Sequence, residues 1–466
     1  MIPMRPPRRR RVALSAFALL LAAPPLLRAD ENPPTQPTPS VDPANTPAPA
    51  HVAIGPYTSY HRAIRFQPGP VSIEPDLLAA FRVEGADSIP VDAEGGRYRS
   101  RFVLAPMLRV HVRLQTKPLW KELSIAAEYE HDLPMGYWSS MKPIEGLDLP
   151  NDKFIQTELR KLYGVLRYGR WLHLGGGVMT NHWGMGLVAN DGASSNWIPG
   201  SARFADNRSG DRVIRAFVGT GPLTAAHLTI DLAFDVVRGD ANLLPGDGAY
   251  QFIGAVSAGE GQPWGAGLFV VHRRQRAQTG VSAGQHTEAT VIDVAGRYAR
   301  AFEHVSLSLE GELAVILGQT TFGATPDVPV KDVIQVGGAA RAAVRGHHGG
   351  GVIDLLYASG DGNLYDDKQT NFVANPNFEM GLLLFRYVLA AQTGRAAATA
   401  SDPDLVGLPS SGIDRFPTRG GATNTVAVFP RFYLRPADGI EVYGGPMLAW
   451  APAPLLDPLN TLVAGG

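Results

Sequence analysis

His182 is the first residue to test for chemistry. It stands in Asn181-His182-Trp183-Gly184-Met185-Gly186, and a barrel hydrolase needs a His and a Ser close enough on one wall to share a proton. Two residues along is Gly184, and Ser194-Ser195 falls in the following loop. A polar His beside an interfacial Trp at a strand end explains the stretch better. His347-His348, beside a run of glycines, reads as a turn, because two histidines without further ligands make no metal centre. Asp361, Asn363, Asp366 and Asp367 offer oxygens to Ca²⁺, but Gly362 and a missing terminal Glu break the loop spacing that ion needs, so a solvated turn is expected. Gly175-Gly176-Gly177 leads into strand-like residues and not into a helix N-terminus, so no phosphate cradle follows. The chain has no cysteine, hence no thiolate nucleophile and no disulfide. The expectation is a non-enzyme with no metal and no cofactor.

A different pattern remains, and it is made of charge. In Leu108-Arg109-Val110-His111-Val112-Arg113-Leu114-Gln115 apolar and polar residues alternate strictly, so a strand carries one greasy and one charged face. Glu128 and Glu130, Asp231 and Asp235, and Glu310 and Glu312 fall on polar faces in the same way. A basic set (Arg109, His111, Arg113, Arg160, Arg297, Arg431, Arg435) faces an acidic one that adds Glu158, Asp293 and Asp354. Arg431 and Arg435 share their face with Phe429 and Tyr433, which leaves the register of that strand open. Charged walls at close quarters select ions and sugar acids by field and hydrogen bonding. Alternatively, opposite signs pair across neighbouring strands and brace the wall.

The elements that must hold these faces are strands. Clear ones lie at 108–115, 123–130, 227–236 and 305–313, with more near 159–168, 212–219, 250–257, 265–273, 289–298, 335–344, 351–358, 380–389, 425–435 and 439–449. Only a few short helices fit between them. Hydrophobic residues make up 45% of the 466 and charged ones 18%, below the quarter usual in soluble domains. Mean hydropathy is −0.04, and past the N-terminus no apolar run approaches the length of a spanning helix. A membrane chain without such runs must close its backbone hydrogen bonds as a barrel. The fold class is therefore all-β, a transmembrane antiparallel β-barrel of roughly 14–18 strands. Aromatics at Tyr129, Trp138, Tyr168, Trp171, Trp183, Phe385, Tyr387, Tyr443 and Trp450 are expected at its two interfaces. Long polar connections at 131–155, 187–211, 237–249, 359–377 and 393–421 alternate with short ones such as 167–170 and 436–439. They are expected outside the cell and in the periplasm, respectively.

Along the chain, 1–29 reads as a secretory signal peptide, with arginines before an apolar stretch and Leu27-Arg28-Ala29 at its end. Residues 30–50 are Pro-rich and expected to be an unpacked periplasmic segment, and 51–466 the barrel. Barrels of this kind usually finish on an aromatic-ended strand, whereas this chain stops at Thr461-Leu462-Val463-Ala464-Gly465-Gly466. The expectation is that one or more closing strands are missing, or else that a partner or the N-terminal strand covers the edge.

Leu356-Tyr357-Ala358-Ser359-Gly360-Asp361-Gly362-Asn363, with Asp366-Asp367, Asn371-Phe372 and Phe378 behind it, resembles a strand-to-loop signature of the alginate export family of outer-membrane barrels. A looser similarity lies at Gly169-Arg170 through Gly186 and at Phe204-Ala205-Asp206. The resemblance covers some 356–378 and 169–206 of the chain and implies passage of an anionic polysaccharide. The expected function is an outer-membrane channel or export porin for a polar or anionic saccharide, conducting passively. Its lumen candidates are Arg109, His111, Arg113, Glu128, Glu130, Arg160, Asp231, Asp235, Arg297, Glu310, Glu312 and Asp354. The alternative is a structural or docking barrel of an envelope export, motility or adhesion complex, with a plugged lumen. Partners would be outer-membrane lipid, the saccharide and, for the alternative, a periplasmic or envelope-complex protein. A formal net charge of −1 argues against nucleic acid.

Overall fold

The computed structural model describes residues 66–86, 89–90, 97–98, 101–134, 138–139, 157–192, 210–279, 282–324, 326–363, 366–378, 380–381, 384–406, 412–437 and 440–454. They all belong to one unit, Pro49–Gly466. The expected signal peptide 1–29, the Pro-rich 30–50, the tail 455–466 and most of loops 135–156 and 193–209 lie outside the described residues.

One antiparallel meander makes the wall. Its long strands are β1 (Val71–Ala86), β2 (Arg101–Thr116), β3 (Leu123–Pro134), β4 (Glu158–Tyr168), β5 (Leu172–Thr180), β6 (Arg212–Leu223) and β7 (Leu228–Gly239). There follow β8 (Asp247–Ala258), β9 (Trp264–Ala277), β10 (His286–Ala301), β11 (Val305–Thr320), β12 (Lys331–Gly346), β13 (Gly349–Ala358) and β14 (Thr425–Ala437). A last strand comes in two pieces, Ile440–Gly444 and Leu448–Trp450, both paired with β14. Each long strand pairs with the next in sequence, from β1 against β2 to β13 against β14. Counting short pieces, the sheet has eighteen strands among the described residues.

Alternation turns the sheet inside out relative to a soluble protein. Along β7, Thr229, Asp231, Ala233, Asp235 and Val237 are buried while Ile230, Leu232, Phe234 and Val236 are exposed. Leu232 is 59% exposed and Asp235 0%. Such an apolar exterior continues through Leu162, Leu174, Phe252, Val294, Leu313 and Ile353. Only a hydrocarbon solvent makes that arrangement stable, since burying carboxylates and exposing leucines would cost on both counts in water. The protein is thus an all-β barrel of the outer-membrane type, with lipid outside and its polar faces turned into the lumen.

The two ends differ. At one, connections are short: 117–122, 169–171, 224–227, 259–263, 302–304 and 347–348. Exposed aromatics ring this rim, among them Trp120, Tyr168, Trp171, Trp264, Tyr298 and Phe302. At the other end lie the longer connections, described over 181–192, 210–211, 240–246, 278–279, 282–285, 321–324 and 326–330 and over parts of 359–424. On the outer surface just below it Phe234, Tyr250 and Phe252 pack together, ring centroids 5.0 to 6.4 Å apart.

Three expectations need correction. The strand foreseen at 380–389 is a π-helical turn, Leu384–Leu389, running into α1 (Ala390–Ala400). A short, mostly apolar run has too little periodicity to separate strand from helix, and the alanines behind it favour helix. Phe385 and Tyr387 are accordingly buried in the interior, not in a girdle. Trp183 is also fully buried, inside the barrel. The open register of β14 resolves with Arg431 and Tyr433 both inward.

Candidate functional site

The inward charges assemble into clusters. On β2–β4, Arg109 grips Asp132 with two bonds of 2.5 and 2.7 Å, and Arg160 reaches Glu130 at 2.6 Å. Glu128 is the centre of a second group: His111 Nε2 lies 2.8 Å from it, Lys161 Nζ 2.9 Å, and the Tyr163 hydroxyl donates at 2.5 Å. Arg160 and Lys161 are neighbours in sequence yet both point inward. A bulge at Glu130/His131 on the β3–β4 pairing puts them there. Arg113 stands 3.7 Å from Glu74 on β1. His111, Glu128 and Glu130 hold ligand atoms close enough for a metal ion. Lys161 and Arg160 already occupy those carboxylates, so the group reads as an ion-pair lattice.

Further round, Arg215 binds both oxygens of Asp235 at 2.6 and 2.7 Å, with Asn181 and Gln251 completing the set. Asp354 takes Arg341 at 2.5 Å and Arg431 on its other oxygen. Glu310 lies 3.9 Å from Arg341. Asp231 is 2% exposed and neither of its oxygens has a hydrogen-bond partner. Arg297 sits at the short-turn end of β10 and is exposed. Of the seven residues expected to make a basic track, Arg109, His111, Arg113, Arg160 and Arg431 instead meet carboxylates on adjacent strands.

The lumen is narrowed from within. Segment 181–192 leaves β5 and folds inward, so that Trp183 stacks on Phe269 of β9 with centroids 5.0 Å apart and planes at 15°. Its Nε1 donates to Asp293 at 3.0 Å. Gly267 makes room, since a Cβ there would meet the indole ring. Glu312 on β11 accepts from the backbone N–H of Met185 and, at 3.1 Å, of Leu187. Segment 371–378 locks on from the other side: Asn375 N donates to Leu187 O at 2.8 Å and its amide nitrogen reaches both oxygens of Asp211. Burial and the neighbouring Asp240 push the Asp211 carboxyl well above the usual carboxylate range. Burial alone would raise the Asp240 carboxyl, but Arg273 together with the backbone N–H groups of Asn242 and Leu243 holds it below that range.

Asp361, singled out in sequence, organises a turn: it accepts from Asn363 N at 3.0 Å and Thr370 N at 3.3 Å. His182 Nδ1 lies 3.5 Å from Asp191. Between the in-folded segments and the long-loop end lies a cavity of about 600 Å³. Phe269, Phe322, Phe372 and Phe416 face it together with Gln251, Gln275, Lys331 and Lys368. Of these residues sequence reasoning missed Asp132 and Arg215, which the alternation of their strands would have supplied. It also missed Asn181, Asp211 and Asn375, for which no local signal exists.

No family model matches the chain, and no curated protein does. Among solved structures the fold is similar to the outer membrane channel DcaP of Acinetobacter baumannii, at 10% identity and TM-score 0.39, over 80% of this chain and 89% of that one. It is also similar to OmpT, an outer membrane protein of Vibrio cholerae, at 10% identity and TM-score 0.27, over 64% and 89%. Likeness at this level carries no functional argument, and the reading below stands on the geometry.

Proposed function

We propose that the protein is an outer-membrane channel whose solute is a polar or anionic saccharide or a similar small molecule. The observation that carries this reading is the cavity of about 600 Å³ in a charge-lined lumen. Its size suits a small solute. Phenyl faces beside amide and ammonium groups suit sugars, which offer apolar ring faces and hydroxyl edges. The local resemblance at 356–378 to the alginate export family points the same way. The paired charges brace the wall, while the charged groups that line the cavity, Lys331 and Lys368 among them with Asp361, Arg273 and Arg415, set the field the solute meets.

The in-folded segments 181–192 and 371–378 favour a second reading, the docking barrel with a filled lumen. Planar-bilayer recording separates the two. A channel gives unitary steps, a reversal potential that reports its ion preference, and current block by oligouronates at lower concentration than by neutral oligosaccharides. A silent barrel under all applied voltages would reject the channel reading in favour of docking.

A further inference from the structure

The outer surface carries a feature that conduction does not use. Across β7–β11 the lipid-facing side runs in rungs set by the strand register. One rung reads Phe234, Phe252, His272, Thr290 and Leu317. The next, nearer the long loops, reads Val236, Tyr250, Arg274, Glu288 and Gln319. Beyond it Arg276 pairs with His286 and Gly248, and Arg238 stands two residues past Val236 on the same face. Within one pleat the exterior changes from apolar to cationic. Arg238, Arg274 and Arg276 are exposed, on strands that span three places in the sheet. The acidic groups facing them are Glu288, 2.9 Å from Arg274 and 3.2 Å from His272, and, two strands on, Asp332. Positive charge is in excess. Directly beneath it the packed rings of Phe234, Tyr250 and Phe252 face the hydrocarbon.

We infer that this patch binds the phosphorylated sugar headgroup of an outer-leaflet glycolipid. The long-loop end of such barrels faces the cell exterior, so the patch lies at the depth of the outer-leaflet headgroups. Arginines on β7 and β9, with β8 between them, match phosphates on a rigid sugar scaffold through charge-assisted, forked hydrogen bonds. The aromatic trio gives the acyl chains a surface to lie on. The inference rests on the barrel's orientation in the membrane and not on its solute.

The test uses the full-length protein in detergent, with bound lipid read by native mass spectrometry. Wild type is titrated with bis-phosphorylated lipid A, dephosphorylated lipid A, phosphatidylglycerol and inorganic phosphate. The triple variant R238Q/R274Q/R276Q is compared with K121Q/R170Q/R300Q, which removes equal charge from the short-turn rim. The expected result is tight retention of bis-phosphorylated lipid A by wild type and by the short-turn variant. The Arg238/Arg274/Arg276 variant should bind roughly a hundredfold more weakly, since three arginines near an anionic surface contribute about 3 kcal/mol together. All three proteins should show the same heat-modifiable migration and the same conductance, which keeps this result separate from that of the channel reading. Equal lipid A binding by the two variants overturns the inference. So does phosphatidylglycerol or free phosphate competing as well as lipid A.

Discussion

Replacing Glu312 with alanine should loosen the inner segment without breaching the wall. Glu312 is 4% exposed and accepts from the backbone N–H groups of Met185 and Leu187. Each bond contributes about 1 kcal/mol net, and each buried donor left without an acceptor costs about 1–3 kcal/mol more. Even with water recovering part of that, the folded-in position of 181–192 loses about 3 kcal/mol, which is roughly a 100-fold rise in the share of molecules with the segment displaced. Because the chain has no cysteine, a single Leu187→Cys gives a clean reporter at a position that is 0% exposed. A hydrophilic maleimide should label Leu187→Cys slowly, and the same residue in an E312A background about two orders of magnitude faster. Single-channel records of E312A should show larger or noisier conductance. Equal labelling rates together with unchanged conductance would refute the idea that Glu312 latches the segment.

Four further outcomes follow from the geometry. Asp235→Ala strands Arg215, whose pair is 0% exposed on both sides, and should cost about 3–5 kcal/mol in urea unfolding from vesicles, whereas R215L/D235L should recover most of it. Leu232→Arg, on the lipid face of β7, should destabilise by about 2–4 kcal/mol in a bilayer; no cost there would contradict the membrane-facing assignment. Gly337→Ala puts a Cβ against the Phe372 ring and should cost about 1–3 kcal/mol while raising protease access to 366–378. Asp211, with its carboxyl raised by burial and by Asp240, is protonated in the folded state at pH values where the unfolded chain has lost the proton. Its contribution is therefore full below the ordinary carboxylate range and falls as pH climbs through the raised value, so D211N should flatten that part of the stability–pH curve.

The wall was readable because period-two alternation is local. Leu108 to Gln115 and Leu228 to Val236 declare their faces within a few residues and keep them in the structure, while His227 falls in the preceding turn. Where locality fails, so does the reading. The bulge opposite Glu130 sets Arg160 and Lys161 on one face, against strict alternation. The run at Leu384–Leu389 is apolar at every second and every fourth place alike, apart from Arg386 and Tyr387, and tertiary packing makes it helical. The inward fold of 181–192 depends on Glu312 and Asn375, both more than a hundred residues away, and no spacing within the segment announces them. A Trp at a strand end reads as interfacial; Trp183 is instead held inside by Phe269 and Asp293, in space that Gly267 leaves open.

The meander has a consequence for how the molecule comes into being. Each long strand hydrogen-bonds its neighbour in sequence, so the wall is a chain of hairpins closed one after another. The contents of the lumen are held by distant links, from Leu187 to Asn375 and from Ser282 to Asp414. Hull and cargo are thus separated by contact range: nearest-neighbour hairpins close at less entropic cost than links that span more than a hundred residues. The same separation lets the stowed segments change in sequence and length while the hull stays as it is.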